Sequence, residues 1–240
     1  MHRAMIAGPD KADGLARLYG RRQGRPLRAG KRRLLENTLP ALAIPLDPDA
    51  PAGSLDPVGL FAATSDVWLE IGFGGGEHLT DQAERHPDFG FIGAEPFVNG
   101  VAALLKGIDA RGLANVRVLM DDVRPLLAAL ASRSIGRAFI LFPDPWPKKR
   151  HWKRRIVCGP VLDQLARVLK PGAELRLATD HEDYGRWMLL ALLAHPAFEW
   201  TARTATDWRL RPADQMETRY ESKARSDGRK PLFLTARRRS

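Results

Sequence analysis

Strand-like and helix-like stretches alternate along most of this sequence, and that alternation constrains the fold more than any single motif. "DVWLEIGFG" reads as a buried strand running into glycines, followed by the helix "EHLTDQAERH". "FGFIGAEP" and "VNGVAALLKGIDARG" repeat the pair, as do "NVRVLMDD" and "VRPLLAALAS". "GRAFILFPDP" then leads to "VLDQLARVLKPG", whose helix Pro171 and Gly172 are expected to close, and "AELRLATD" leads to "EDYGRWMLLALLAHP". "FEWTA" and "PLFLTARR" are two short strands near the end. Such an order predicts an α/β fold with a mostly parallel sheet covered by helices on both faces. The stripe "WMLLALLAH" is expected to be core.

Ligands of such sheets bind at the carboxyl ends of the strands. Here every long strand ends on something acidic: Glu70 before the glycines, Glu95, Asp121 and Asp122, Asp144, and Thr179-Asp180. A single acid after a strand is usually a helix cap. Five on one rim read as a site.

The first loop, "EIGFGGG" from Glu70 to Gly76, places Gly72, Gly74 and Gly76 in a GxGxG spacing rather than the GxGxxG of a dinucleotide loop. Glycines let the backbone approach a ligand closely. A pyrophosphate would be repelled by Glu70, whereas a sulfonium and an ammonium group would be attracted. Glu95, ending the second strand, is placed to hold ribose hydroxyls, as acids there do in dinucleotide folds. Asp122 is placed to accept a hydrogen bond from an adenine amino group, with Asp121 beside it as the alternative. S-adenosyl-L-methionine has these pieces, and NAD is the competing cofactor.

Charge adds a partner. The 240 residues carry a net charge of +10, which points to nucleic acid or another anionic surface. No apolar run is long enough to span a bilayer. One cysteine, Cys158, precludes an internal disulfide, and the N-terminus lacks the apolar core of a secretory signal, so a cytoplasmic protein is expected. Residues 1 to 33, which hold Arg17, Arg21, Arg22, Arg25 and Arg28, read as a flexible basic arm for nucleic acid, and residues 40 to 58 as a Pro-rich linker. The expected division is therefore 1–58, arm and linker, and 59–240, the cofactor-binding domain. His151, His181 and His195 have no partners at metal-ligand spacing, so no metal is expected.

The most distinctive stretch is "PDPWPKKRHWKRR", Pro143 to Arg155. Pro143 and Pro145 restrict the backbone on either side of Asp144. The cluster Lys148, Lys149, Arg150, Lys153, Arg154 and Arg155 is suited to RNA phosphates, and His151 is read as RNA-facing. Trp146 either stacks on a base or packs in the core.

Taken in order, "EIGFGGG", "FIGAEP", "DDVRPLL", "LFPDPWPKKRHWKRRIV", "LRLATDHEDY" and "TRYESKA" resemble the tRNA (guanine-N7)-methyltransferase family from about residue 60 to 236. The resemblance implies a Rossmann-like class I methyltransferase sheet of seven strands. It implies S-adenosyl-L-methionine contacts at Glu70, Glu95 and Asp122, with Asp122 favoured over Asp121 because Leu127 then falls at the family's spacing. It implies Asp144 as the catalytic residue and substrate contacts at Lys148, Asp180, Thr218, Arg219, Tyr220 and Glu221. The implied product is 7-methylguanosine at position 46 of the tRNA variable loop, made by a monomer or homodimer with no partner subunit evident. A non-catalytic RNA-binding protein that kept this fold, or a nucleotide-dependent oxidoreductase, would share the sheet.

Overall fold

The computed structural model describes residues 19–240. Two helices precede the sheet, α1 (Ala29–Asn37) and α2 (Leu39–Leu42). The alternating part runs β1 (Asp66–Ile71), α3 (Glu77–Arg85), β2 (Phe89–Ala94), α4 (Val98–Arg111), β3 (Val116–Leu119), α5 (Val123–Ala129), β4 (Ile135–Leu141), α6 (Gly159–Val168), β5 (Leu169–Thr179) and α7 (Glu182–Ala194). It closes with β6 (Phe198–Trp200), α8 (Thr206–Arg209), α9 (Arg219–Ser226) and β7 (Leu232–Arg238).

The strands lie in the order β3-β2-β1-β4-β5-β7-β6. β1 through β5 pair in parallel with one another, and β7 is antiparallel to both β5 and β6. The central strands are buried on both faces, so they read as continuous apolar runs rather than alternating ones. Val67, Leu69 and Ile71 of β1 point to one core with Leu126, Leu165 and Met188. Trp68, Phe91 and Phe139 point to the other with Leu79, Leu104 and Leu105. No helix among the described residues is long and apolar enough to cross a membrane.

Four features differ from the sequence reading. From residue 19 onward the expected flexible arm is packed: the Arg22 carbonyl accepts from the Val98 N–H, and Gly24 N–H donates to Asn99 Oδ1. Leu34 and Leu35 of α1, with Leu39 and Leu42 of α2, pack on the second core, a pattern masked by the flanking arginines. The rest of the arm, residues 1–18 with Arg17, lies outside the described residues. The Pro-rich stretch is likewise tied down: Ile44 N–H donates to the Val118 carbonyl and Leu55 N–H to that of Ala129. The first of these bonds covers part of the sheet's β3 edge, which would otherwise offer unpaired backbone groups, and the second ties the stretch to the end of α5.

Pro171 and Gly172 do not cap α6. β5 has already begun at Leu169, whose pairing with Ile135 is followed by Arg137↔Glu174, so the two residues occupy an irregular bulged stretch. Finally, α7 is core on one side only. Tyr184, Met188 and Leu192, four residues apart, are buried, while Leu190 and Leu193 are exposed.

Candidate active site

The carboxyl ends of β1, β2, β3 and β4 open into one cleft of about 350 Å³. Its floor is apolar, with Ile71, Ala94, Val123 and Leu141. Gly72 and Gly74 line it at the turn after β1 with φ of 73° and 55°, a region that side chains rarely adopt. A Cβ on Gly74 would stand 2.8 Å from the Tyr220 ring, so only glycine lets α9 close on this turn.

Glu95 ends β2 and lines the cleft, almost wholly buried. Its Oε2 accepts from Gly74 N–H and its Oε1 from Phe97 N–H, each at 2.9 Å. Burial pushes its carboxyl up, the two N–H groups pull it down, and the negative charges of Asp144 and Glu70 push it up further. Asp122 also lines the cleft and caps α5, accepting from Arg124 N–H at 2.9 Å and from Arg124 Nη1 at 2.6 Å. Asp121, the alternative, accepts from Asp122 N–H and from Arg22 Nη2. Both carboxylates stand on the rim.

Glu70 does not line this cleft. It lies in a small recess behind the glycine turn, where Oε2 meets His78 Nδ1 at 2.8 Å and both side chains are buried. The recess shares Gly72, Leu141, Phe142 and Tyr220 with the main cleft, so the Glu70–His78 pair lies next to it.

β4 delivers Asp144 to the mouth of the cleft. Its carboxyl is open to water yet recessed enough that partial burial pushes its pKa up. On either side of Pro143-Asp144-Pro145 the backbone is held in the left-handed region, with φ of 51° at Phe142 and 44° at Trp146. For bulky residues this costs on the order of 1–3 kcal/mol each and persists only where surroundings enforce it. Prolines and strained flanks together leave the carboxylate few directions.

The basic block divides. After Lys148, a 3₁₀ turn over Lys149–Arg154 leaves Lys148, Lys149, Arg150 and Lys153 exposed. Arg154 turns inward and lines the cleft, its guanidinium over the rings of Trp146 (4.9 Å) and Tyr19 (5.3 Å). Trp146 thus belongs to the cleft wall. His151 is half-buried with its ring edge-on to Trp146. Arg155, expected to contact RNA, corrects that reading: it is 2% exposed and enclosed by Trp152, Tyr184 and Trp187.

The remaining residues expected at the substrate are scattered. Tyr220 lines the cleft, and Arg219 lies over its ring and pairs with Glu77 at 3.4 Å. Thr218 faces the recess and caps α9 by accepting from Glu221 N–H. Glu221 is fully buried and bound by Arg211 (3.2 Å) and Arg225 (3.1 Å), so it anchors α9 instead of facing the cleft. Asp180 is held by Arg229 and does not reach the main cleft.

Sequence reasoning missed Tyr19, Gly20 and Arg21, which form the outer wall of the cleft, together with Arg124 and His78. The one available signal was Tyr19, the sole aromatic ring of Phe, Tyr or Trp type in residues 1 to 33. The whole is an apolar floor under a glycine turn, rimmed by carboxylates and fronted by cations. Such a donor set suits a ligand with hydroxyls and a positive charge, beside an anionic partner.

Residues 64–234 match the protein family described as "Putative methyltransferase". The tRNA (guanine-N(7)-)-methyltransferase of Rhodospirillum rubrum is 53% identical over 96% of this chain and 91% of its own length. That of Paramagnetospirillum magneticum is 51% identical over 93% of each chain. Among solved structures, the 16S rRNA methyltransferase KamB matches with a TM-score of 0.54 and 19% identity, covering 76% of this chain and 92% of its own. The sheet order and this likeness make the fold a Rossmann-like class I methyltransferase sheet.

Proposed function

This chain belongs to the tRNA (guanine-N7)-methyltransferase family, and we propose that it transfers a methyl group from S-adenosyl-L-methionine to N7 of guanine 46 in the variable loop of tRNA. The observation that carries this reading is the gathering of Glu95, Asp122 and Asp144 on one cleft rim that also takes in Arg154 of the basic block.

S-adenosyl-L-methionine supplies an electrophilic methyl carbon on a sulfonium. The residues present fit it. Glu95 keeps lone pairs beyond those given to Gly74 and Phe97, and these accept ribose hydroxyls. Asp122 accepts from the adenine amino group. Gly72 and Gly74 admit the ligand without a Cβ in the way. The negative charges that press on Glu95 are relieved by a bound cation, and Glu70 behind the turn adds to that field.

N7 of guanine has an in-plane lone pair and no proton to lose. It attacks the methyl carbon, the carbon–sulfur bond breaks, and its electron pair stays on sulfur. The protein therefore needs no strong general base; its work is positioning. The purine becomes cationic as the methyl arrives, and Asp144 stabilises that charge. Lys148, Lys149, Arg150 and Lys153 hold phosphates. Trp146 and Tyr220 offer faces to an unstacked base. Thr218 and Glu221 act one step back, by capping and anchoring α9, and Arg219 lies over the Tyr220 ring; Asp180, held by Arg229, stands outside this wall.

Incubating the protein with tritium-labelled S-adenosyl-L-methionine and bulk tRNA, then digesting to nucleosides, tests the reading. Label in 7-methylguanosine is the expected result. Label in another nucleoside, or none, would overturn it.

A further inference from the structure

Arg155 has no place in the chemistry above, yet its surroundings are among the most elaborate in the molecule. It is buried to 2% exposure and has no ion-pair partner among the described residues. Its guanidinium carbon lies 5.0 Å from the Trp152 ring, 4.7 Å from Tyr184 and 5.0 Å from Trp187. A buried cation without a paired carboxylate is costly, and the Asp183 charge acts on it only from beyond ion-pair distance. Three aromatic faces offset part of that cost, but they do not explain why a cation is needed where a leucine would fill the space.

The remaining contact does. Arg155 Nε donates to the Pro145 carbonyl at 3.0 Å. Pro145 follows Asp144 directly and precedes Trp146, whose φ is 44°. The bond therefore ties down the strained turn at the residue next to the acid. The cage itself is anchored from α7, since Trp187 Nε1 donates to the Val157 carbonyl at 2.7 Å and Val157 N–H donates to the Tyr184 hydroxyl.

We propose that Arg155 is a positioning residue for methyl transfer, whose buried guanidinium braces the 142–146 turn through the Pro145 carbonyl and so fixes where the Asp144 carboxylate stands. The inference rests on the methyl-transfer reading. It makes one arginine of the basic block part of the catalytic framework, and RNA never touches it. Lysine is a poor substitute, because it lacks the planar group that the three rings enclose.

The test compares Arg155→Met and Arg155→Lys, each alone and combined with Asp144→Asn, in single-turnover methylation with saturating enzyme. Displacing a reacting group by ~1 Å can cost about a hundredfold, so Arg155→Met is expected to slow the step by roughly ten- to a hundredfold. S-adenosyl-L-methionine affinity, tRNA affinity and the salt dependence of tRNA binding should match the parent. Arg155→Lys, which keeps a donor, should recover part of the rate. In the Asp144→Asn background both penalties should vanish, because the group being positioned is gone.

An undiminished rate would overturn the proposal. So would a penalty that persists in full beside Asp144→Asn, or a loss that appears as weaker tRNA binding with a shallower salt slope. If Arg155→Met does not fold, Arg155→Lys in the same two backgrounds gives the same decision. A parent protein that leaves tRNA unmethylated sinks the methyl-transfer reading, and this inference with it.

Discussion

In the proposed mechanism Asp144 is the residue on which the chemistry turns. Asp144→Asn keeps the shape and one acceptor oxygen but removes the charge. If the carboxylate stabilises the cationic purine, the single-turnover rate should fall by about ten- to a thousandfold, or roughly 1.4–4 kcal/mol of barrier. Affinity for tRNA and cofactor should hold, because that charge exists only late in the reaction. The pH profile follows from the direction of the pKa shift. Partial burial raises the Asp144 pKa above that of an ordinary aspartate, so the active carboxylate is lost as pH falls through this raised value. The rate should climb with pH through an apparent pKa above the ordinary value and then stay flat, with no second rise that would mark a general base. A parent-like rate in Asp144→Asn would reduce the residue to a strand end. Glu95, Asp122 and Asp144 were legible in the sequence because each ends a strand, and topology alone carries strand ends to one rim. Arg155 and Glu221 were not. A charged residue in a charged run reads as surface, and their burial depends on partners such as Trp187, contributed by a distant helix.

At the scale of elements, the turn after β4 and the segment before α1 do different work. Lys148 and Lys153 are exposed on the turn, so replacing either with alanine should weaken tRNA binding and lower the slope of log affinity against log salt by about one. Titration of cofactor into the same variants should give the parent value, and an equal loss there would mean that the turn supports the cleft. Tyr19, Gly20 and Arg21 wall that cleft, and the chain just after them is held by Asn99, which accepts from Gly24 N–H and donates to the Arg25 carbonyl. Asn99→Ala removes two bonds worth about 0.5–1.5 kcal/mol each, so cofactor affinity measured by calorimetry should drop several-fold to a hundredfold. Unchanged affinity would show that the wall does not touch the ligand. The segment's order was not legible, since arginines outnumber its few apolar residues and its bonds use backbone groups. The early start of β5 was missed for a related reason. Proline and glycine stop a helix locally, but the pairing of Leu169 with Ile135 is a tertiary fact that a local signal does not carry.

For the molecule as a whole, the alternation of apolar runs was enough to give the parallel sheet and its two covering layers, because a strand buried on both faces leaves an unmistakable pattern. The +10 charge pointed to nucleic acid or another anionic surface, and the Rhodospirillum rubrum relative, 53% identical, is a tRNA methyltransferase, which favours the first. What remains central is the atom that receives the methyl group. A tRNA assembled with 7-deazaguanosine at position 46 keeps the shape and pairing edge of guanine but replaces N7 with carbon. Methylation of the parent tRNA should approach one methyl per molecule, and the substituted tRNA should bind equally well yet take up none. Equal incorporation into both would contradict the account, because the methyl would then be going to another atom.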